Sequence, residues 1–208
     1  MKAHTIETQA NISPNQALTL LKEGNLRFLK NKQVSRDLLA QVATTSTGQF
    51  PFATILSCID SRVSSELIFD QGIGDIFSIR IAGNFVNDDI LGSMEFACKL
   101  AGTKLLLVLG HTACGAVKGA CDNAELGNLT GLINKIKPAV NAIKNPTEKD
   151  VRNSSNSEFV NTVAAKNVQL TIENIRKSSP VLQEMEANNE IIIIGGMYNI
   201  SNGLVTFL

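Results

Sequence analysis

The sequence predicts an α/β fold: a small, mostly parallel central sheet with an antiparallel edge strand, flanked by helices. Three observations carry this. The runs at 53–56, 105–109 and 190–194 are short and largely apolar, as strands buried on both faces of a parallel sheet are. Longer amphipathic stretches lie between them, giving the alternation of strand and helix from which such sheets are wound. The last run, 204–208, follows Ile200-Ser201-Asn202-Gly203, a turn that folds it back on the preceding strand. A chain of 208 residues suits one domain, 1–208, with a helical arm at about 13–31.

The elements follow in order. Residues 1–12 are polar and lack an apolar signal core, and are expected to fray. Ser13-Pro14-Asn15-Gln16 has the form of a capping box with proline in the first turn, opening a helix to about residue 30. Its apolar face (Ala17, Leu20, Leu21, Phe28) has no evident partner within the chain. A Thr-, Ser- and Gly-rich connector at 44–48 leads into the first strand. A short helix at 64–69, a strand at 76–81 and a helix at 89–100 follow, the last with Asp88 and Asp89 at its positive end. Residues 115–121 read as helix, and 129–143 as a kinked helix or two helices because Pro138 interrupts the pattern. The stretch 145–157 is a surface loop; 157–177 is a long amphipathic helix and 181–188 a shorter one.

Charge and composition exclude several classes. Lys+Arg and Asp+Glu are both 19, so no net field draws nucleic acid or an anionic membrane. Tryptophan is absent and aromatics make up only 5%, which argues against base-stacking platforms. No apolar stretch approaches the ~20 residues that span a bilayer. A cytoplasmic location is expected. There the four cysteines (Cys58, Cys98, Cys114, Cys121) are ligands or buried thiols rather than a disulfide scaffold.

Two of them stand in clusters, Cys58-Ile59-Asp60-Ser61-Arg62 and His111-Thr112-Ala113-Cys114, and each cluster begins where a strand ends. That edge of an open α/β sheet is where ligands bind. Taken singly, each cysteine reads as a core thiol. Together with His111 they form the ligand set of a catalytic zinc that keeps its fourth position open. The cysteines would bind as thiolates and His111 as neutral imidazole. The only other histidine, His4, lies in the N-terminal stretch. Asp60 and Arg62, two apart on an extended segment, can form a bidentate pair. Cys98 and Cys121 read as core thiols.

The clusters, with Gly74-Asp75-Ile76-Phe77-Ser78-Ile79-Arg80, Ala82-Gly83-Asn84 and the glycines Gly110 and Gly115, resemble the β-class carbonic anhydrases. The resemblance is dense over residues 45–120 and looser elsewhere. It implies reversible hydration of carbon dioxide to bicarbonate and a proton by a zinc-bound hydroxide, with Cys58, His111 and Cys114 as zinc ligands. Asp60 would accept the hydroxide's O–H and aim its lone pair at the carbon, while Arg62 keeps Asp60 ionised and off the metal. In the family an aspartate here can also become the fourth zinc ligand, closing the site. Gln49 matches a position that contacts substrate across a subunit boundary, and Phe77, Phe96 and Gly110 match pocket positions. Arg80 and Asn84 have structural counterparts. Ile55 stands where some members carry a Trp of an inhibitory bicarbonate site, and no proton shuttle is evident.

Family members pair through such N-terminal helices, so a homodimer or homotetramer is expected, with no nucleic acid or membrane partner. Two rival readings use the same scaffold: a hydrolase of carbon disulfide or carbonyl sulfide, and a noncatalytic zinc-binding homologue. Asp60, Arg62 and the open fourth position count against the second.

Overall fold

A computed structural model describes residues 3–208. Its sheet has five strands: β1 (Ala53–Ser57), β2 (Ile76–Arg80), β3 (Leu105–His111), β4 (Ile192–Tyr198) and β5 (Val205–Phe207). They lie in the order β2-β1-β3-β4-β5, all parallel except β5, which pairs antiparallel with β4. β1 and β3 are buried along their whole length, as their apolar composition requires. Alternate residues face opposite sides. Ile55, Leu107 and Leu109 pack towards the N-terminal helix α2 (Pro14–Leu29) and the short α4 (Ser65–Ile68). Leu56, Leu106 and Val108 pack towards α5 (Asp88–Glu95), α8 (Ser157–Ser178) and α9 (Pro180–Ala187).

The register delivers the two clusters to one place. Ser57 stands opposite Leu109, so Cys58 leaves β1 beside Gly110, one residue before His111.

Several elements differ from the sequence reading. Residues 6–10 form a helix, α1 (Ile6–Ala10), rather than a frayed end. Gln9 secures it by donating to Pro51 O at 2.6 Å and Ala101 O at 2.8 Å, and the His4 ring meets Phe52 edge-on. A further helix, α3 (Leu38–Thr45), precedes the connector, capped by Asp37 through the Ala40 N–H. The apolar face of α2 has an internal partner: Ala17 and Leu21 are fully buried against the sheet. α5 passes into a π turn at Phe96–Leu100. After α6 (Gly115–Cys121), α7 (Gly127–Ala142) runs through Pro138 as one helix, since Ile133, Ile136 and Ala139 are buried on either side of it. β4 continues four residues beyond Ile194, through Gly195 and Gly196. A Cβ on Gly195 would sit 2.7 Å from Val168 Cγ1, so this glycine admits α8 to the sheet and does not mark a turn. The surface stretch after α7 is tied down by Arg152, which donates to Pro146 O, Val140 O and Ile143 O and lies over the Phe159 ring.

One buried ion-pair group fastens residues 34–36 to the fold. Asp70 accepts from Arg27 Nε and Arg36 Nη1, each at 2.5 Å, and from the Val34 N–H. Burial pushes this carboxyl up, but the hydrogen bonds from the two arginines outweigh it and the net shift is downward. A carboxyl with a depressed native pKa adds stability above its unfolded value of about 3.9, and that stability is lost as pH falls through the native value. Asp70→Asn leaves Arg36 buried without its counter-charge, and asparagine tolerates the positive φ of 47° at this position. We therefore expect a loss of about 3 kcal/mol in urea unfolding at pH 7. The gap between variant and parent should narrow below about pH 4. A variant as stable as the parent at pH 7 contradicts the assignment.

Candidate metal centre

Cys58 follows β1, His111 closes β3, and Cys114 caps α6 at its N-terminus. All three are buried, and their ligand atoms lie within 4.8 Å of one another. The sulfurs are 3.9 Å apart. Two thiolates at about 2.3 Å on a tetrahedral zinc stand about 3.8 Å apart, so the observed spacing needs little adjustment. His111 Nδ1 meets the Thr112 carbonyl at 2.9 Å, and an acceptor there requires the proton on Nδ1. Nε2 then carries a free lone pair. It is buried without a hydrogen-bond partner, which is the condition of a ligand atom awaiting a metal. Among the described residues this is the one cluster of three His, Cys or carboxylate groups with such spacing.

The thiols are matched to that task. Cys58 is drawn down, first by the hydrogen bond from Cys114, opposed by burial, and further by the backbone N–H groups of Gly83 and Asp60. Cys114 is pushed up by sharing that proton and by burial. The two thiols thus shift in opposite directions, and binding a metal as thiolates would release the proton they share. Cys98 and Cys121 are both raised to about 11, chiefly by burial, as inert core thiols are.

Asp60 stands at the rim with its Oδ2 3.9 Å from His111 Nε2. Arg62 grips it with Nε on Oδ1 (2.9 Å), Nη2 on Oδ2 (2.7 Å) and its own N–H on Oδ1 (3.0 Å). These bonds hold the Asp60 carboxyl well below the ordinary carboxylate range. Arg80 Nε and Nη2 in turn hold the carbonyls of Cys58 and Asp60. A carbonic anhydrase family model matches residues 53–205, which include both clusters. The chain belongs to the β-carbonic anhydrase family.

Its relatives agree with that assignment. Carbonic anhydrase 2 of Mycobacterium tuberculosis is 32% identical over 199 residues, covering 93% of this chain and 92% of the relative. A β-carbonic anhydrase from Coccomyxa, solved with acetazolamide, is 26% identical with a TM-score of 0.68, covering 80% of this chain and 75% of that one. One of two tetrameric β-carbonic anhydrases from Sordaria macrospora shares the fold, with a TM-score of 0.69 at 24% identity over 80% of this chain and 84% of that one. No helix among the described residues is long and apolar enough to cross a membrane.

Of the other residues matched to the family's pocket, Gln49, Phe77 and Phe96 do not reach the cluster within one chain. Gln49 is exposed in the loop before β1, with roughly 16 Å of strand between it and Cys58. Phe77 pairs in register with Thr54, also far down β1, and meets Phe96 with ring centres 6.3 Å apart. The two rings line a groove of about 570 Å³ on the β2 edge, not the metal cluster. Gly110 is next to His111, but its missing side chain is explained by packing: a Cβ would lie 2.6 Å from Val168 Cγ2. Two residues that hold backbone near the cluster, Asn161 on Ala113 and Asn167 on Gly83, carry no local sequence signal, because their partners are distant backbone groups.

Proposed function

We propose that the chain catalyses the reversible hydration of carbon dioxide to bicarbonate at a zinc ion held by Cys58, His111 and Cys114. The observation that carries this reading is the buried His111 Nε2, unpartnered and facing two sulfurs, with an ionised carboxylate at its rim. Bound there, zinc supplies a water acidified towards neutrality and able to attack the substrate carbon. The chain's part is orientation. Asp60, ionised, offers only acceptors, so with zinc held there it would take the O–H of that water and orient its lone pair towards the carbon. Arg62 occupies both Asp60 oxygens, and Asp60 could become a fourth ligand only by breaking those bonds. Arg80 fixes the loop that carries Cys58 and Asp60. Stopped-flow hydration assays on purified protein of measured metal content test this. The rate is expected to rise in proportion to zinc per chain, and zinc-replete protein without hydration activity contradicts it.

The active unit is proposed to be a homodimer or a tetramer of such dimers, in which Gln49, Phe77 and Phe96 complete the pocket of a neighbouring copy. The supporting observation is that these residues cannot reach the cluster of their own chain. Leu26 and Leu29 on α2, with Leu38, Leu39 and Val42 on α3, also leave an apolar face exposed. Sedimentation should give a dimer or larger at micromolar concentration. An active monomer refutes it.

A further inference from the structure

Two side chains of helix α8 end on backbone near the cluster, one in the loop between His111 and Cys114 and one in the turn after β2 that meets Cys58. Asn161 Oδ1 accepts the Ala113 N–H at 2.9 Å. Ala113 lies between the ligands His111 and Cys114 and has a φ of 54°, the left-handed region that a residue with a Cβ seldom occupies. Further along the same helix, the buried Asn167 donates from Nδ2 to Gly83 O at 2.8 Å. The Gly83 N–H, for its part, donates to Cys58 Sγ at 3.4 Å. Gly83 has a φ of 79°, and a Cβ on it would come within 2.4 Å of Ile136 Cδ1. The turn that meets Cys58 therefore depends on a glycine held from behind. Backbone chemistry settles which way each amide faces: an N–H requires the oxygen of Asn161, and a carbonyl requires the NH₂ of Asn167.

We propose that Asn161 and Asn167 are positioning residues of the metal centre, Asn161 fixing the loop between His111 and Cys114 and Asn167 fixing the Gly83 turn whose N–H meets the Cys58 sulfur. Neither touches the metal or the substrate. Each removes freedom from a backbone segment that would otherwise have to be ordered when the metal binds, the office of outer-shell groups in metal sites. Asn161 stabilises the unfavourable backbone at Ala113. Asn167 keeps the Gly83 N–H aimed at the Cys58 sulfur, where it favours the thiolate. The proposal rests on the zinc reading above.

The opposite roles of the two amides give the test. Aspartate keeps the acceptor that position 161 needs and lacks the donor that position 167 needs, at nearly unchanged volume. Zinc-loaded full chains are mixed with excess chromophoric chelator and the rate of zinc release is read, with urea midpoints measured on the metal-free proteins. Asn161→Asp should release zinc within about threefold of the parent rate, while Asn161→Leu and Asn167→Asp should release it about tenfold faster or more. Metal-free midpoints of the two Asn161 variants should differ far less than their rates of zinc release. Equal release from Asn161→Asp and Asn161→Leu overturns the proposal, as does a parent-like rate for Asn167→Asp. So does faster release that merely tracks a lower urea midpoint. Should Asn167→Asp fail to fold, the half-buried position 161 decides alone. A parent protein that holds no zinc instead removes the metal reading on which the proposal rests.

Discussion

Cys58→Ser protein is expected to purify with little zinc and to lose carbon dioxide hydration in step with the metal. Cys58 is the residue the chain prepares most fully as a thiolate, with its sulfur taking hydrogen bonds from Cys114 and the Gly83 N–H. A serine hydroxyl keeps its proton at neutral pH and is a poor zinc ligand. The remaining Cys114 thiol would lose the partner that shares its proton and would stay buried and protonated. Zinc affinity should fall by more than the roughly 10–100-fold seen when only an outer-shell group is removed. Cys114→Ser should behave alike, whereas Cys98→Ser and Cys121→Ser should keep about the parent's zinc, since those thiols lie apart from the ligand cluster. Metal analysis beside the hydration assay distinguishes these cases. Full activity in zinc-free Cys58→Ser protein would remove the metal from the mechanism altogether.

The convergence of Cys58, His111 and Cys114 was legible because each sits within a few residues of an apolar run, and parallel strands of equal direction end at one edge of the sheet. Sequence order then sufficed to bring Cys58, His111 and Cys114 together, and the in-register pairing of Ser57 with Leu109 does so in the structure. The spacing of Asp60 and Arg62 was likewise enough to foresee their bidentate pair. Contacts between distant segments were not legible. α1 is held by Gln9 on two remote carbonyls, and the backbone near the cluster by Asn161 and Asn167, none of which leaves a periodic trace. Local signals fell short where packing decides. The apolar run 190–194 left out the end of the strand, since β4 continues through Gly195 and Gly196, where α8 packs closely. Pro138 left a kinked helix or two helices open, and buried neighbours carry α7 through it as one helix. The apolar pattern of α2 told correctly that one face is buried, but not that the sheet of its own chain covers it.

Asp60→Asn should keep about one zinc per chain and lose hydration rate by about a hundredfold or more. The reason lies in how Arg62 occupies the carboxylate. Two of its N–H groups converge on Oδ1 and a third meets Oδ2, so all three need acceptors. An amide has one oxygen. If that oxygen takes the Oδ1 place, the NH₂ falls at Oδ2, against the Arg62 Nη2 donor and beside His111 Nε2. The group then presents N–H where the reaction needs an acceptor for the O–H of the attacking water. Turned the other way, the amide strands two Arg62 donors and the loop loses its hold. Arg62→Ala separates orientation from charge, because the carboxylate remains but keeps only the backbone N–H of residue 62. With the side-chain hydrogen bonds that chiefly depress its pKa gone, Asp60 should titrate nearer the ordinary value of about 3.9, and activity should begin to fall at higher pH than in the parent. Zinc content and pH–rate profiles measured together decide the matter. An Asp60→Asn enzyme with full zinc and parental rate would show that the carboxylate takes no part in orienting the water. Loss of zinc in proportion to rate would make Asp60 a prop for the ligand loop instead.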